Sequence, residues 1–121
     1  MQKLTKAEEE LMQVLWQIER GLLTEIMEAI PAPKPAQSTV STLLRILSKK
    51  GFITHKAYGK TYEYRPLVSK DEYASQYFGN FLDNYFGGSF KRMLSFFAKK
   101  EDLDMGTLDE IMKELKTEDE E

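Results

Sequence analysis

At Gly51 the spacing of apolar residues changes from helical to alternating, and this change constrains the fold of the 121-residue chain more than any other feature. Before it, "STVSTLLRILSKK" places Val40, Leu43, Leu44 and Leu47 three and four residues apart, the stripe of an amphipathic helix. After it, "FITHKAY" and "KTYEYRPL" flank Gly59 with β-branched and aromatic residues, the pattern of a hairpin closed by a glycine turn. Ser38 or Thr39 is the expected cap of the helix, and Gly51 its stop, with Lys49 and Lys50 favouring the negative end of its dipole.

The flanking residues supply further elements. Thr5 and Glu8 form a capping box ahead of Leu11, Val14, Leu15 and Ile18, which predicts a first helix over about residues 6–19, stopped near Gly21. "LLT" reads as a short extended piece, with Thr24 capping a second helix, "EIMEAI", that Pro31 ends. "PAPKPAQ" is a loop, because it holds three of the four prolines. Beyond the hairpin, Ser69 with Glu72 opens a helix broken at Gly87 and Gly88. "SFKRMLSFFAKK" makes a shorter helix, and Thr107 with Glu110 opens a last one.

Helix, short strand, helix, helix, hairpin is the order of a winged helix-turn-helix. The predicted fold class is mainly α with a small β-hairpin wing. Residues 1–68 form the winged domain, and residues 69–121 form a helical dimerisation region with an acidic tail.

Charge points to the partner of the winged domain. Residues 34–65 carry Lys34, Arg45, Lys49, Lys50, Lys56, Lys60 and Arg65 against Glu63 alone, a net +6 in a chain whose net charge is −3. A local positive field of this kind suits an anion such as the DNA backbone. Ser38, Thr39, Ser41, Thr42 and Arg45 lie on the faces of the third helix away from its apolar stripe, where hydroxyl and guanidinium groups can reach base edges in the major groove. Lys49, Lys50, His55, Lys56 and Lys60 are expected near phosphate, and Tyr62 and Tyr64 as hairpin packing. A solvated helix face and a solubilising set of lysines is the plainer reading of each residue alone. A winged module that meets an acidic protein partner is the alternative function.

Nine of the fourteen aromatic residues fall between Tyr73 and Phe97. So many rings in one small region would leave a large apolar patch on a monomer. The expected homodimer interface is Tyr77, Phe78, Phe81 and Tyr85, joined by Phe90, Leu94 and Phe97 and by Leu108, Ile111, Met112 and Leu115 of the last helix.

Composition excludes much else. With no cysteine and one histidine, His55, disulfides, thiolate nucleophiles and multi-histidine metal sites are ruled out. No catalytic constellation or cofactor-binding pattern is present, and none is expected. No apolar run approaches a membrane span and no signal-peptide core opens the chain, so direct membrane insertion is not expected and the cytoplasm is the expected location.

"LTKAEEELMQVLW", "STVSTLLRILSKKGFI", "HKAYGKTYEYRPLVSKDEY" and "FFAKKEDLD" together resemble the penicillinase repressor family, from about Leu4 to Leu115. The resemblance implies a dimeric transcriptional repressor on double-stranded operator DNA, with a winged helix at the N-terminus and helical dimerisation at the C-terminus. In the beta-lactam branch it further implies release when a membrane-bound sensor metalloprotease cuts the C-terminal region. Three features depart from the family pattern. An arginine often found at the position of Ile46 stands one place earlier, as Arg45. The C-terminal cysteines of the copper branch are absent. The asparagine–phenylalanine bond cut in the beta-lactam branch corresponds to Ser95, Phe96 and Phe97.

Overall fold

The computed structural model describes residues 2–102, 104, 106, 107, 109, 110, 113 and 114. Its elements are α1 (Lys6–Ile18), β1 (Gly21–Leu22), α2 (Leu23–Ala29), α3 (Gln37–Lys49), β2 (Ile53–Tyr58), β3 (Thr61–Pro66), α4 (Lys70–Phe86) and α5 (Phe90–Lys100). The chain divides into two compact units, Met1–Gln76 and Tyr77–Glu121, and α4 contributes to both.

In the first unit, α1 opens on the expected box. The Glu8 N–H donates to the Thr5 hydroxyl at 3.2 Å, and the Thr5 N–H donates to the Glu8 carboxylate at 3.3 Å. The helix stops at Glu19, which takes the left-handed turn itself with φ 70°. Gly21, the expected stop, lies instead in β1, where an added Cβ would come within 3.0 Å of the Ile18 side chain. β1 pairs antiparallel with β3, Gly21 opposite Tyr64, and β3 pairs with β2 from Ile53–Pro66 to Tyr58–Thr61. The sheet order is therefore β1-β3-β2.

Two expected caps move. α2 begins after Leu22 rather than Thr24, because the Glu25 carboxylate reaches back to accept the Leu22 N–H at 2.8 Å. α3 begins after Ala36, whose carbonyl accepts the N–H groups of Thr39 at 3.0 Å and Val40 at 3.1 Å. Ser38 and Thr39 therefore lie inside its first turn. A backbone carbonyl suffices to start the helix once the prolines have passed, so α3 extends back to the loop.

The core of this unit comes from every element. Leu11, Met12 and Leu15 of α1 meet Ile26 of α2, Val40, Leu44 and Leu47 of α3, and Phe52 and Ile53 at the base of the hairpin. Tyr73 joins them from the first turn of α4, its ring 5.8 Å from both Trp16 and Phe52. The Trp16 indole N–H donates to the Val68 carbonyl at 2.8 Å and fixes the chain between β3 and α4.

α4 opens on Ser69, whose hydroxyl accepts the Glu72 N–H at 3.0 Å. In the second unit, α4 ends at Gly87 and Gly88, whose φ values of 57° and 78° suit glycine. The Ser89 hydroxyl then accepts the Arg92 N–H at 3.1 Å and starts α5. Aromatic rings pack the two helices together, with Phe78 5.9 Å from Phe90 and Phe86 5.7 Å from Phe96. Residues 106, 107, 109, 110, 113 and 114 are also helical. Thr107 is thus already within that helix, and the cap expected of it falls to Asp104, whose carboxylate accepts the Thr107 N–H at 2.7 Å. Leu108, Ile111, Met112 and Leu115 lie outside the described residues.

Candidate nucleic-acid interface

The buried stripe of α3 determines which of its residues face solvent. With Val40, Leu44 and Leu47 turned into the core, the opposite face presents Ser38, Ser41, Thr42, Arg45 and Lys49, all exposed. Their spacings of three and four residues put them on one line along the helix. Thr39 is exposed too, but about 100° from Ser38 around the axis, at the flank of this line. The Thr42 hydroxyl donates to the Ser38 carbonyl at 3.0 Å, which holds its rotamer and leaves its lone pairs outward. The line thus carries four groups with hydrogen-bonding capacity at its start and middle and a cation at its end.

The wing adds a second cationic surface. Gly59, with φ 61°, is the first residue of the two-residue turn between Tyr58 and Thr61, where a type II′ turn requires glycine. The Thr61 hydroxyl donates to the Tyr58 carbonyl at 2.9 Å and closes that turn. Lys60 is exposed at the tip. Strand alternation puts Thr54, Lys56 and Tyr58 on one face with Thr61, Glu63 and Arg65, and the Lys56 ammonium sits 5.4 Å from the centre of the Tyr58 ring. The other face carries His55, with its ring 4.5 Å from Tyr62 and 5.9 Å from Tyr64. His55 is thus exposed on a strand and leans on two tyrosines. Arg65 was not among the expected contacts, yet it shares the Lys56 face and is exposed. The two-residue alternation of β3 would have shown it.

The cations of the basic segment fall into two classes. No carboxylate of a described residue engages Arg45, Lys49, Lys56, Lys60 or Arg65. Lys34 and Lys50 are committed within the fold. The Lys34 ammonium donates to the carbonyls of Met27 at 2.7 Å and Glu28 at 3.1 Å, at the negative end of α2. The Lys50 ammonium donates to the Glu8 carboxylate at 2.5 Å and to the Lys3 carbonyl at 3.2 Å. Burial alone would raise the Glu8 carboxyl, but the Lys50 ammonium and the two Thr5 groups outweigh it and hold the carboxyl below its usual value. Lys50 was expected beside Lys49 at the phosphates. The structure turns it the other way, towards the start of α1.

In the second unit, Tyr77, Phe78, Tyr85 and Phe97 of the expected interface are exposed, and Phe81, Phe90 and Leu94 are half-buried. In the stretch Ser95, Phe96 and Phe97, all within α5, Ser95 is half-buried and the two phenylalanines are exposed. Among the described residues no group of three His, Asp or Glu side chains is placed to hold a metal ion, and no helix is long and apolar enough to cross a membrane.

Comparison with known proteins agrees with this geometry. The family model described as penicillinase repressor matches residues 4–117. The methicillin resistance regulatory protein MecI of Staphylococcus aureus is 30% identical over 110 residues, covering 90% of this chain and 89% of that protein. The penicillinase repressor of Bacillus licheniformis is 24% identical over 110 residues, covering 90% of this chain and 86% of its own length. Among solved structures, the DNA-binding domain of the repressor BlaI superposes with a TM-score of 0.53 at 27% identity, covering 60% of this chain and 94% of that domain.

Proposed function

The chain belongs to the penicillinase repressor family of DNA-binding transcriptional regulators, and we propose that it acts as a homodimer whose two winged units take the two halves of a pseudo-palindromic operator. The observation that carries this reading is the line Ser38, Ser41, Thr42, Arg45 and Lys49 on α3, opposite its buried stripe and accompanied by the free cations of the wing. The α3 line enters the major groove. Arg45 reads a base edge there, Ser38, Ser41 and Thr42 supplement it, and Thr39 contacts the groove wall. Lys49, Lys56, Lys60 and Arg65 neutralise phosphates, with His55 beside them. Dimerisation falls to the exposed aromatic face of α4 and α5, together with Leu108, Ile111, Met112 and Leu115.

We also place induction in the second unit. A membrane-bound sensor metalloprotease cutting near Ser95, Phe96 and Phe97 would separate the last helix from α4 and release the operator. What supports this is the family match across residues 4–117, which spans this stretch although its asparagine is replaced, and the exposure of both phenylalanines. Because these bonds lie within α5, the helix must open locally before a protease can take up the backbone.

The test is a fluorescence-anisotropy titration with the DNA upstream of the gene, repeated at several salt concentrations. Affinity should fall steeply with salt, and Lys60→Ala should weaken operator and random DNA alike while flattening the salt slope by about one unit. A slope equal to wild type would remove the wing tip from the interface.

A further inference from the structure

The Lys50–Glu8 pair lies at the junction of the two surfaces just assigned to DNA. Lys50 follows the last residue of α3, Gly51 turns with φ 82°, and the fully buried Phe52 leads into β2. From that junction Lys50 reaches back 42 residues in sequence to Glu8, which is only 4% exposed, and also holds the Lys3 carbonyl just before α1. Glu8 in turn is fixed by both bonds of its capping box with Thr5. The end of the reading helix and the root of the wing are thus tied to the rigid start of α1.

We infer that Glu8 is a positioning residue for operator recognition, and that Lys50 acts as its tether and not as a phosphate contact. The argument is one of geometry and charge. α3 is 13 residues long, about 20 Å, so a small displacement at its C-terminal end swings the whole Ser38-to-Lys49 line. The apolar stripe holds α3 against the core but resists sliding and tilting weakly, since dispersion contacts have little directionality. A charged hydrogen bond from the half-buried Lys50 ammonium to the buried Glu8 carboxylate is directional and short. Buried ion pairs add little net stability compared with apolar replacements of similar volume, and in some proteins they select one arrangement among several. Lys50 with its charge already matched also releases no counterions when DNA binds, unlike Lys49 one residue earlier.

This inference rests on α3 being the DNA-reading helix, and the experiment separates the two. Operator affinity, random-DNA affinity, salt slope and melting midpoint are measured for the full-length protein and for Lys49→Ala, Lys50→Met, Lys50→Arg and Glu8→Leu/Lys50→Met. Lys49→Ala should flatten the salt slope by about one unit. A Lys49→Ala slope equal to wild type would count against the DNA face itself. Lys50→Met should keep the wild-type slope but reduce the ratio of operator to random-DNA affinity by about tenfold, the size of one misplaced base contact. Lys50→Arg should restore much of that ratio. The double variant, which leaves no buried charge unpaired, keeps the test valid should Lys50→Met unfold: it should melt near wild type yet show the same loss of discrimination. A Lys50→Met slope flattened as in Lys49→Ala would make Lys50 a phosphate contact. A folded double variant with unchanged discrimination would reduce the pair to a scaffold feature. Either result overturns the inference.

Discussion

In residues 1–76, Met12, Leu15, Ile26, Val40, Leu47 and Phe52 have no exposed surface, and each finds its neighbours within the chain. In the second unit Ala98 is the one buried hydrophobic among the described residues, while Tyr77 is 55% exposed, Tyr85 73% and Phe96 53%. Both units are rich in apolar side chains, but only the first completes a core. Its α3 line and wing are left polar and cationic, suited to an anion. The second leaves aromatic rings in water, suited to another apolar surface. In the proposed function the two units therefore meet different partners, nucleic acid for one and a second copy of the chain for the other, and perturbing one should leave the other largely intact.

The strongest way to break that comparison is to truncate the chain after Ser95. The dimer should dissociate while the winged unit keeps its fold. Operator affinity should fall by roughly 10²–10⁴-fold, because the second half-site loses its effective concentration. Analytical ultracentrifugation and anisotropy on the same sample test this. A truncated protein that stays a tight dimer at full affinity would show that residues 96–121 are not needed for assembly, and would overturn their role in induction.

Next in size is Arg45→Ala, which touches the first unit alone. Arg45 is exposed and makes no ion pair with a described residue, so fold and dimer mass should be unchanged. Operator binding should lose about 1–3 kcal/mol if the guanidinium makes a bidentate base contact. Random DNA should lose less, and equal losses on both would make Arg45 a phosphate contact.

Acid should act on the same unit by another route. The Glu8 carboxyl lies below its usual value of 4.5 in the folded chain, so its contribution to stability is present above that value and disappears as pH falls through the folded one. The melting midpoint of the winged unit should therefore drop as pH is lowered from about 5 towards 3, and Glu8→Gln should remove that component. A Glu8→Gln protein whose midpoint follows pH as wild type does would show that the pair contributes nothing to the pH dependence.

These predictions depend on features that the sequence revealed unequally. The amphipathic stripe of α3, the glycine turn at Gly59, the capping box at Thr5 and the Ser69 hydroxyl cap are local signals, and local chemistry decides them. The starts of α2 and α3 were less legible. Leu22 and Ala36 have no capping side chain, and the backbone begins those helices after a strand pairing and a proline loop, respectively. The basic segment was legible as a charge sum but not as a surface. Counting cannot distinguish the Lys50 ammonium, bonded to a carboxylate 42 residues away, from that of Lys49, which is free of described carboxylates. For the same reason the Lys34 ammonium counted towards an anion site although it serves the end of α2.

The smallest expected effects come from two glycines, one in each unit. A Cβ at Gly21 would meet the Ile18 side chain at 3.0 Å and the Glu25 Cβ at 3.4 Å, inside a packed region. Gly21→Ala should therefore destabilise the first unit by about 1 kcal/mol, through crowding at the turn between α1 and β1. Gly79 lies within α4, and apart from the backbone of its own helix and its chain neighbours no described atom lies within 4 Å of the position its Cβ would take. A glycine inside a helix weakens it by roughly 0.5–1 kcal/mol relative to alanine, so Gly79→Ala should stabilise the second unit by about that amount. Chemical denaturation of both variants, followed in full-length protein at several concentrations, gives the sign of each. Opposite signs would confirm that the first unit is closed at its glycine and the second open. A Gly79→Ala protein that is less stable, and more so on dilution, would mean that the partner subunit packs against that very position, which would place the dimer contact on the Gly79 side of α4.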